Sequence, residues 1–183
     1  MSRIDLGAKP YIFPMPVLII GTYDESGIPN AMNAAWGSIT DEDEISISMG
    51  SHKTTDNLAV TGAFTVSMAT EDYVTACDYV GVVSGRDVSD KFKRAGFTHT
   101  KSSFVNAPII NELPMTLECE VKSFEDEILI GKIRNISVAD SVLTEGKIDP
   151  AKLKPITFDP VNHTYTGLGS ELGKAFSDGF KLK

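Results

Sequence analysis

A chain of 183 residues with a net charge of −8 is long enough to bury about two thirds of its unfolded surface in one domain. The negative charge argues against nucleic acid and anionic membranes as partners, because both would repel the protein. The content of 42 % hydrophobic and 23 % charged residues is that of an ordinary globular protein, and we expect a single domain over residues 1–183.

The two cysteines and the N-terminal residues bear on the compartment. Cys77 and Cys119 lie far apart and form no CxxC motif, which predicts buried thiols in a reduced, cytoplasmic setting rather than a disulfide framework. Asp5 and Lys9 interrupt the start of the chain, so it lacks the pattern of a signal peptide. The apolar run Val17–Ile20 is too short to cross a membrane.

The first part of the chain predicts an antiparallel meander. Val17–Tyr23 is rich in β-branched residues and has the length of a buried strand. A turn at Asp24–Gly27 leads to a second strand, Asn30–Ile39. After the acidic turn Asp41–Glu44, the residues Ile45–Met49 alternate strictly between apolar and polar, as in a strand with one buried face.

Three short helices and more strands are predicted next. Thr54 or Thr55 can cap the first helix, which stops at Gly62, and the second and third helices begin at Thr70 and Ser89. The remaining predictions are a strand at Ala63–Met68, an irregular segment at Thr98–Pro114, a hairpin of Met115–Val121 with Ile128–Val138, and an amphipathic tail helix over Ser170–Phe180. Short strands with hairpin turns and small helices predict a mainly β, antiparallel barrel with helical additions.

The stretch Pro29–Ser38 is unusual for a strand. It carries small residues, two asparagines and Trp36, the one tryptophan of the chain. Small side chains allow a flat ligand to approach the backbone, and amides without a strand partner could then face that ligand. A cramped strand that crosses under a helix is the alternative, and Trp36 is equally compatible with an ordinary core position.

A polar cluster, Ser51–Leu58, opens the first predicted helix. Hydroxyl groups, a lysine and an asparagine at a helix start favour a phosphate-binding site. Because the net charge is negative, such a site needs local cations, and the candidates are Lys53 within the cluster and Lys91, Lys93 and Arg94 outside it. Solvated surface lysines are the alternative interpretation.

The order of these motifs resembles the flavin reductase-like, FMN-binding split-barrel family, and within it the flavoredoxin branch. The small-residue strand with Trp36 is followed by an acidic turn, an alternating strand and the helix start at Lys53–Leu58. Ser89–Phe92 and Tyr165–Gly169 extend the resemblance over most of the chain. It implies a Greek-key split β-barrel of the FMN-binding type, FMN as cofactor, and a homodimer with the flavin near the subunit interface.

If FMN binds, its phosphate requires donors and positive charge, and its ring requires a flat slot with amide donors. We expect the ring against the backbone of the small-residue strand and the phosphate at the helix start, while Lys91 matches a lysine that the family brings toward the flavin. The expected cofactor-binding residues are Asn33, Ala34, Ala35, Trp36, Gly37, Ser38, Ser51, His52, Lys53, Thr54, Thr55, Asn57 and Lys91.

Two functions of different class stay open. The first is an NAD(P)H-dependent flavin reductase, which uses NADH or NADPH. The second is an electron carrier that keeps FMN and exchanges electrons with a redox protein partner, and a flavin-binding protein without redox turnover is a third possibility. We expect no catalytic acid or base, since redox chemistry belongs to the flavin, and no metal site, because His52, His99 and His163 lack metal-ligand spacing.

Overall fold

The computed structural model describes all residues, 1–183, as a mainly β chain with four short α-helices. The strands are β1 (Met15–Pro16), β2 (Leu18–Tyr23), β3 (Pro29–Ala34), β4 (Gly37–Asp41), β5 (Glu44–Ser48), β6 (Ala63–Met68), β7 (His99–Lys101), β8 (Pro108–Ile110), β9 (Met115–Glu125), β10 (Ile128–Val138), β11 (Leu143–Thr144), β12 (Lys147–Ile148), β13 (Ile156–Asp159) and β14 (Thr164–Gly167). The helices are α1 (Lys53–Thr61), α2 (Val74–Val82), α3 (Lys91–Arg94) and α4 (Pro150–Leu153).

Seven strands form one antiparallel sheet in the order β3-β2-β6-β9-β10-β5-β4. Its two edge strands, β3 and β4, follow each other in the chain and are separated only by Ala35 and Trp36. The sheet therefore curls until its edges meet at one corner without pairing there, which makes it a half-barrel. This arrangement confirms the predicted mainly β, antiparallel split barrel.

The single strand predicted at Asn30–Ile39 is wrong, because the structure divides it into β3 and β4. β3 pairs with β2, whereas β4 pairs with β5 on the opposite edge of the sheet. The chain must change partners between them, and the carbonyl of Trp36 accepts a hydrogen bond from the Ser48 amide at 2.8 Å at this point. Alternation along a sequence does not reveal such a change of partner.

The sheet separates two apolar cores, and β2 contributes to both. Leu18 and Ile20 point into the barrel, where they pack with Phe64 and Leu129 among others. Ile19 points to the opposite face and joins the core beneath α2. All six residues of β2 are buried, which explains why Leu18, Ile19 and Ile20 follow one another without polar alternation.

The three predicted helices are present, but two of them begin elsewhere than predicted. α1 begins at Lys53 with His52 as its N-cap, ahead of Thr54 and Thr55, and α3 begins at Lys91 rather than at Ser89. α1 ends at Gly62, which adopts the predicted left-handed conformation with φ of 63°. The second helix begins with a 3₁₀ turn at Glu71–Tyr73 before α2, and Cys77 lies buried on its inner face. Burial raises the pKa of the Cys77 thiol to about 12, so the thiol stays protonated and inert, as expected of a core cysteine.

Two predicted segments differ in the structure. Thr98–Pro114 contains a strand pair, β7 with β8, in which His99 opposes Ile110, because the fully buried Ile110 anchors the segment to the core beneath α2. The tail forms no α-helix over Ser170–Phe180, and only a 3₁₀ turn appears, at Asp178–Leu182. Glycines within the tail disfavour a helix, and Leu172 and Phe176 touch no packed surface.

No helix in this structure combines the length and the apolar character needed to span a bilayer.

Candidate functional site

The two motifs singled out in the sequence lie side by side. The bond from the Ser48 amide to the Trp36 carbonyl places the β3–β4 corner next to the end of β5, from which the chain runs directly into α1. On the other side, Asn30 of β3 donates from Nδ2 to the hydroxyl of Thr54 at 3.0 Å. The small-residue stretch and the helix start therefore form one continuous surface.

The start of α1 presents several donors. The amides of Lys53 and Thr54 lie in the first turn and donate to no protein acceptor, as is usual at a helix N-terminus. Thr54 is only 1 % exposed. Because its oxygen accepts from Asn30, its own hydroxyl hydrogen is left to bind elsewhere. Exposed His52 and Ser51 border this surface, so the local groups fit an anion.

Two of the expected cofactor-binding side chains, Thr55 and Asn57, have partners within the protein. The hydroxyl of Thr55 accepts from the His52 amide at 3.0 Å and donates to the His52 carbonyl at 2.8 Å, which closes the turn before α1. Asn57 is buried and donates to the hydroxyl of Thr22 in β2 at 2.9 Å. Both side chains order the helix start and are directed away from its open face.

The corner between β3 and β4 presents the second set of donors. The amides of Ala35 and Trp36 form no hydrogen bond to another protein group. Trp36 is 56 % exposed, so it does not occupy an ordinary core position. Gly37 begins β4 directly beneath, where an added Cβ would lie 2.7 Å from a methyl group of Leu18, and Ser38 is exposed on the same strand.

A wide groove of about 1140 Å³ opens at this corner. Its lining combines Trp36, apolar side chains of the half-barrel such as Leu18 and Met115, and most of the N-terminal residues 9–16. Such a cleft, apolar with a few polar groups at its edge, is typical of a cofactor site. A flat aromatic ring fits the small residues and free amides of the corner.

The Asn33 side chain lies on the face of β3 that packs against α2. Its Nδ2 donates to the carbonyl of Cys77 in α2 at 3.1 Å and lies 3.4 Å from the hydroxyl of Tyr165. Tyr165 in turn donates to Asp78 at 2.8 Å, and burial is the main cause that raises the pKa of Tyr165 to about 12. Asn33 therefore joins β3 to α2 and β14, and Ala34 pairs with Leu18 at the end of the β2–β3 ladder.

The Lys91 side chain is buried between the end of α2 and α3. It is 4 % exposed, and its ammonium donates to the carbonyls of Val80 and Val83 at 3.1 and 2.8 Å. Burial lowers the pKa of the Lys91 amine to about 8. The side chain ties the end of α2 to α3, where a cation at a helix C-terminus is favourable.

Sequence reasoning missed the segment that follows α2. Gly85 lies on the site so closely that an added Cβ would clash with Asn30 Oδ1 and lie 3.2 Å from Cγ of Lys53. Arg86 reaches across to Asp56 and Ser51. The Ser89–Phe92 motif of the resemblance overlaps the end of this segment, but Gly85 and Arg86 were not singled out. A glycine followed by an arginine after a predicted helix is the local signal for them.

Together, the fold and the site define a flavin-binding redox protein of the split-barrel class. The flavin reductase like domain matches residues 11–161, and this chain belongs to the flavin reductase-like family.

Three solved structures illustrate the similarity. The flavoredoxin of Desulfovibrio vulgaris (Miyazaki F) is 35 % identical, with 97 % of this chain and 100 % of that chain covered and a TM-score of 0.93. The flavoredoxin of Methanosarcina acetivorans is 26 % identical over the full length of both chains, with a TM-score of 0.91. An FMN-binding protein of Thermus thermophilus is 18 % identical, covers 95 % of this chain and 99 % of its own, and shares the fold with a TM-score of 0.77.

Proposed function

We propose that the protein binds FMN and transfers electrons or hydride between NAD(P)H and the flavin. The observation that carries this proposal is the pair of unsatisfied donor sets on one surface. The amides of Lys53 and Thr54 would hold the phosphate, and those of Ala35 and Trp36 would hold the ring. The phosphate end favours FMN over riboflavin, because a dianion gains from a helix start and a lysine while an uncharged ribityl chain does not.

The chain's own groups account for binding and for the electrostatic field. FMN, when bound, supplies the electron-accepting chemistry. Donors fixed at the edge of the ring favour negative charge there, so the Ala35 and Trp36 amides would raise the reduction potential of the flavin. Trp36 would shield one part of the ring, and the open groove beside it leaves room for a reductant. We assign no side chain as a proton donor or acceptor.

A flavoredoxin-type electron carrier is the second candidate function. The 35 % identity to the Desulfovibrio flavoredoxin over nearly the whole chain favours it. In this function the protein would keep FMN and pass electrons to a redox protein partner. The same cofactor site serves both functions, which differ in whether the flavin exchanges electrons with NAD(P)H or with a redox protein partner.

Anaerobic mixing with nicotinamides distinguishes the reductase from the electron carrier. The FMN-loaded protein is mixed with NADH or with NADPH while the visible absorbance of the flavin is followed. Bleaching within seconds by either nicotinamide is the result expected of a reductase. Flavin that is unaffected by both nicotinamides, yet bleaches with a chemical reductant, would contradict the reductase proposal and support the carrier.

We further propose that the working unit is a homodimer in which the C-terminal tail contributes to the interface. Leu172 is 98 % and Phe176 101 % exposed, so these side chains make no contact within their own chain. Exposed apolar groups of this size often mark an interface. Light scattering at micromolar concentration should give twice the chain mass.

The double variant Leu172→Ser/Phe176→Ser should shift the protein toward the monomer, because it removes the apolar contacts of the tail. Val60→Ser/Val82→Ser is the matched control, since both valines are also exposed but belong to helices of the body. A wild-type protein that scatters as a monomer while it holds FMN would contradict the dimer.

A further inference from the structure

The segment Val83–Asp90, here called the clasp, joins α2 to α3 and lies across the start of α1. Its base is fixed by the ammonium of Lys91, which binds the Val83 carbonyl at 2.8 Å. Internal bonds from the amides of Asp87 and Val88 to the Ser84 carbonyl make the clasp compact. Gly85 allows its backbone to contact Asn30 and the stem of Lys53.

The tip of the clasp is anchored by Arg86. Its Nε and Nη2 bind the two carboxylate oxygens of Asp56 at 3.0 and 2.9 Å, and Nη2 also donates to the hydroxyl of Ser51 at 3.0 Å. The pair is bidentate, which fixes the plane of the guanidinium. The hydrogen bond from Arg86 is the main cause that lowers the pKa of Asp56, so the carboxylate stays ionised at neutral pH.

These contacts determine the direction of a hydroxyl group at the site. Because Ser51 accepts from Arg86, the hydroxyl hydrogen of Ser51 must be donated away from the guanidinium. The hydroxyl hydrogen of Thr54 is constrained in the same way, since the Thr54 oxygen accepts from Asn30. Both hydroxyls at the start of α1 are thus held as donors by a neighbouring side chain, which suits a ligand group that only accepts hydrogen bonds.

The charge of Arg86 is balanced by Asp56, so its contribution is orientation more than net charge. We propose that Arg86 is a positioning residue for the phosphate end of the site: it holds Ser51 as a donor and closes the clasp over Asn30 and Lys53. This inference rests on the proposed binding of FMN. It assigns to the clasp a share of the selectivity for a phosphate monoester over an uncharged ribityl chain.

Arg86→Ala should weaken FMN binding by about three- to thirtyfold, as expected for the loss of hydrogen bonds at an anion site, and should leave riboflavin binding unchanged. Arg134→Ala is the matched control. Arg134 also pairs through Nε and Nη2 with a half-exposed carboxylate, that of Glu120, on strands away from the site, and its loss should affect neither ligand. Affinities are measured by quenching of flavin fluorescence, and thermal unfolding confirms that both variants fold.

The variant Asp56→Asn distinguishes a positioning role of Arg86 from simple attraction of the phosphate by its charge. If Arg86 acts through orientation, Asp56→Asn releases the guanidinium and weakens FMN binding in the same direction as Arg86→Ala. If Arg86 attracts the phosphate by charge alone, removal of the neighbouring negative charge strengthens FMN binding, and the positioning role is overturned. Unchanged FMN affinity in Arg86→Ala, equal losses for riboflavin, or an equal loss in Arg134→Ala would also overturn it.

Flavin binding by the wild-type protein shows whether a negative result refutes this inference alone or the proposed function as well. A wild type that binds FMN no better than riboflavin removes the phosphate site itself, and the positioning role with it. A wild type that prefers FMN, together with an Arg86→Ala variant of the same preference, leaves the phosphate site intact and refutes the clasp alone.

Discussion

Lys53→Ala and Thr54→Ala should each weaken FMN binding by about 1–3 kcal/mol, which corresponds to roughly five- to 150-fold in Kd. Lys53 supplies charge at the start of α1, and the buried Thr54 hydroxyl has a hydrogen to donate there because its oxygen already accepts from Asn30. Riboflavin lacks the phosphate, so its affinity should hardly change. Both ligands are titrated into each variant, and quenching of flavin fluorescence gives Kd.

Two controls sharpen this prediction. Thr54→Ser keeps the hydroxyl and should retain most of the affinity for FMN. Thr61→Ala removes a hydroxyl at the other end of α1, where Thr61 donates to the Asn57 carbonyl, and should leave FMN binding intact. Equal losses for FMN and riboflavin in Lys53→Ala or Thr54→Ala would show that the phosphate lies elsewhere.

The largest effect on stability is expected for Phe64→Ala, which should lower the free energy of unfolding by about 3–5 kcal/mol. Phe64 has no exposed surface and packs inside the half-barrel. Its ring fills the space above Gly131 of β10, where a Cβ would clash with it. Removal of the ring leaves a cavity into which a packed core relaxes only in part. Urea unfolding measures the loss.

Phe104→Ala is the matched control, because Phe104 is 58 % exposed and lies outside the barrel. Its free energy of unfolding should change by less than about 1 kcal/mol. A Phe64→Ala variant that loses no more stability than Phe104→Ala would contradict the packing described for the barrel. The comparison holds residue type and size constant, so it isolates burial.

Local signals in the sequence predicted most of the fold. The apolar run of β2, the helix stop at Gly62 and the hairpin of β9 with β10 each depend on neighbouring residues, and each appears in the structure. The change of partner between β3 and β4 depends on strands distant in the chain. Alternation within Asn30–Ile39 contained no sign of it, and the prediction of one strand was wrong for that reason.

The candidate site shows the same division. Free amides were anticipated at the start of α1 and along the small-residue stretch, but the corner that frees those of Ala35 and Trp36 arises from the change of strand partner. The directions of several side chains at the site were not anticipated, because they depend on tertiary partners. The Asn33 side chain turns toward α2, Lys91 binds carbonyls at the end of α2, and Arg86 of the clasp pairs with Asp56 of α1.

Titration of the wild-type protein with FMN and with riboflavin tests the central claim most directly. A surface with a phosphate site at Lys53 and Thr54 and a ring site at Ala35 and Trp36 predicts that FMN binds at micromolar concentration or below, and at least about tenfold more tightly than riboflavin. A protein that quenches neither flavin, or that binds both with equal affinity, would contradict the account.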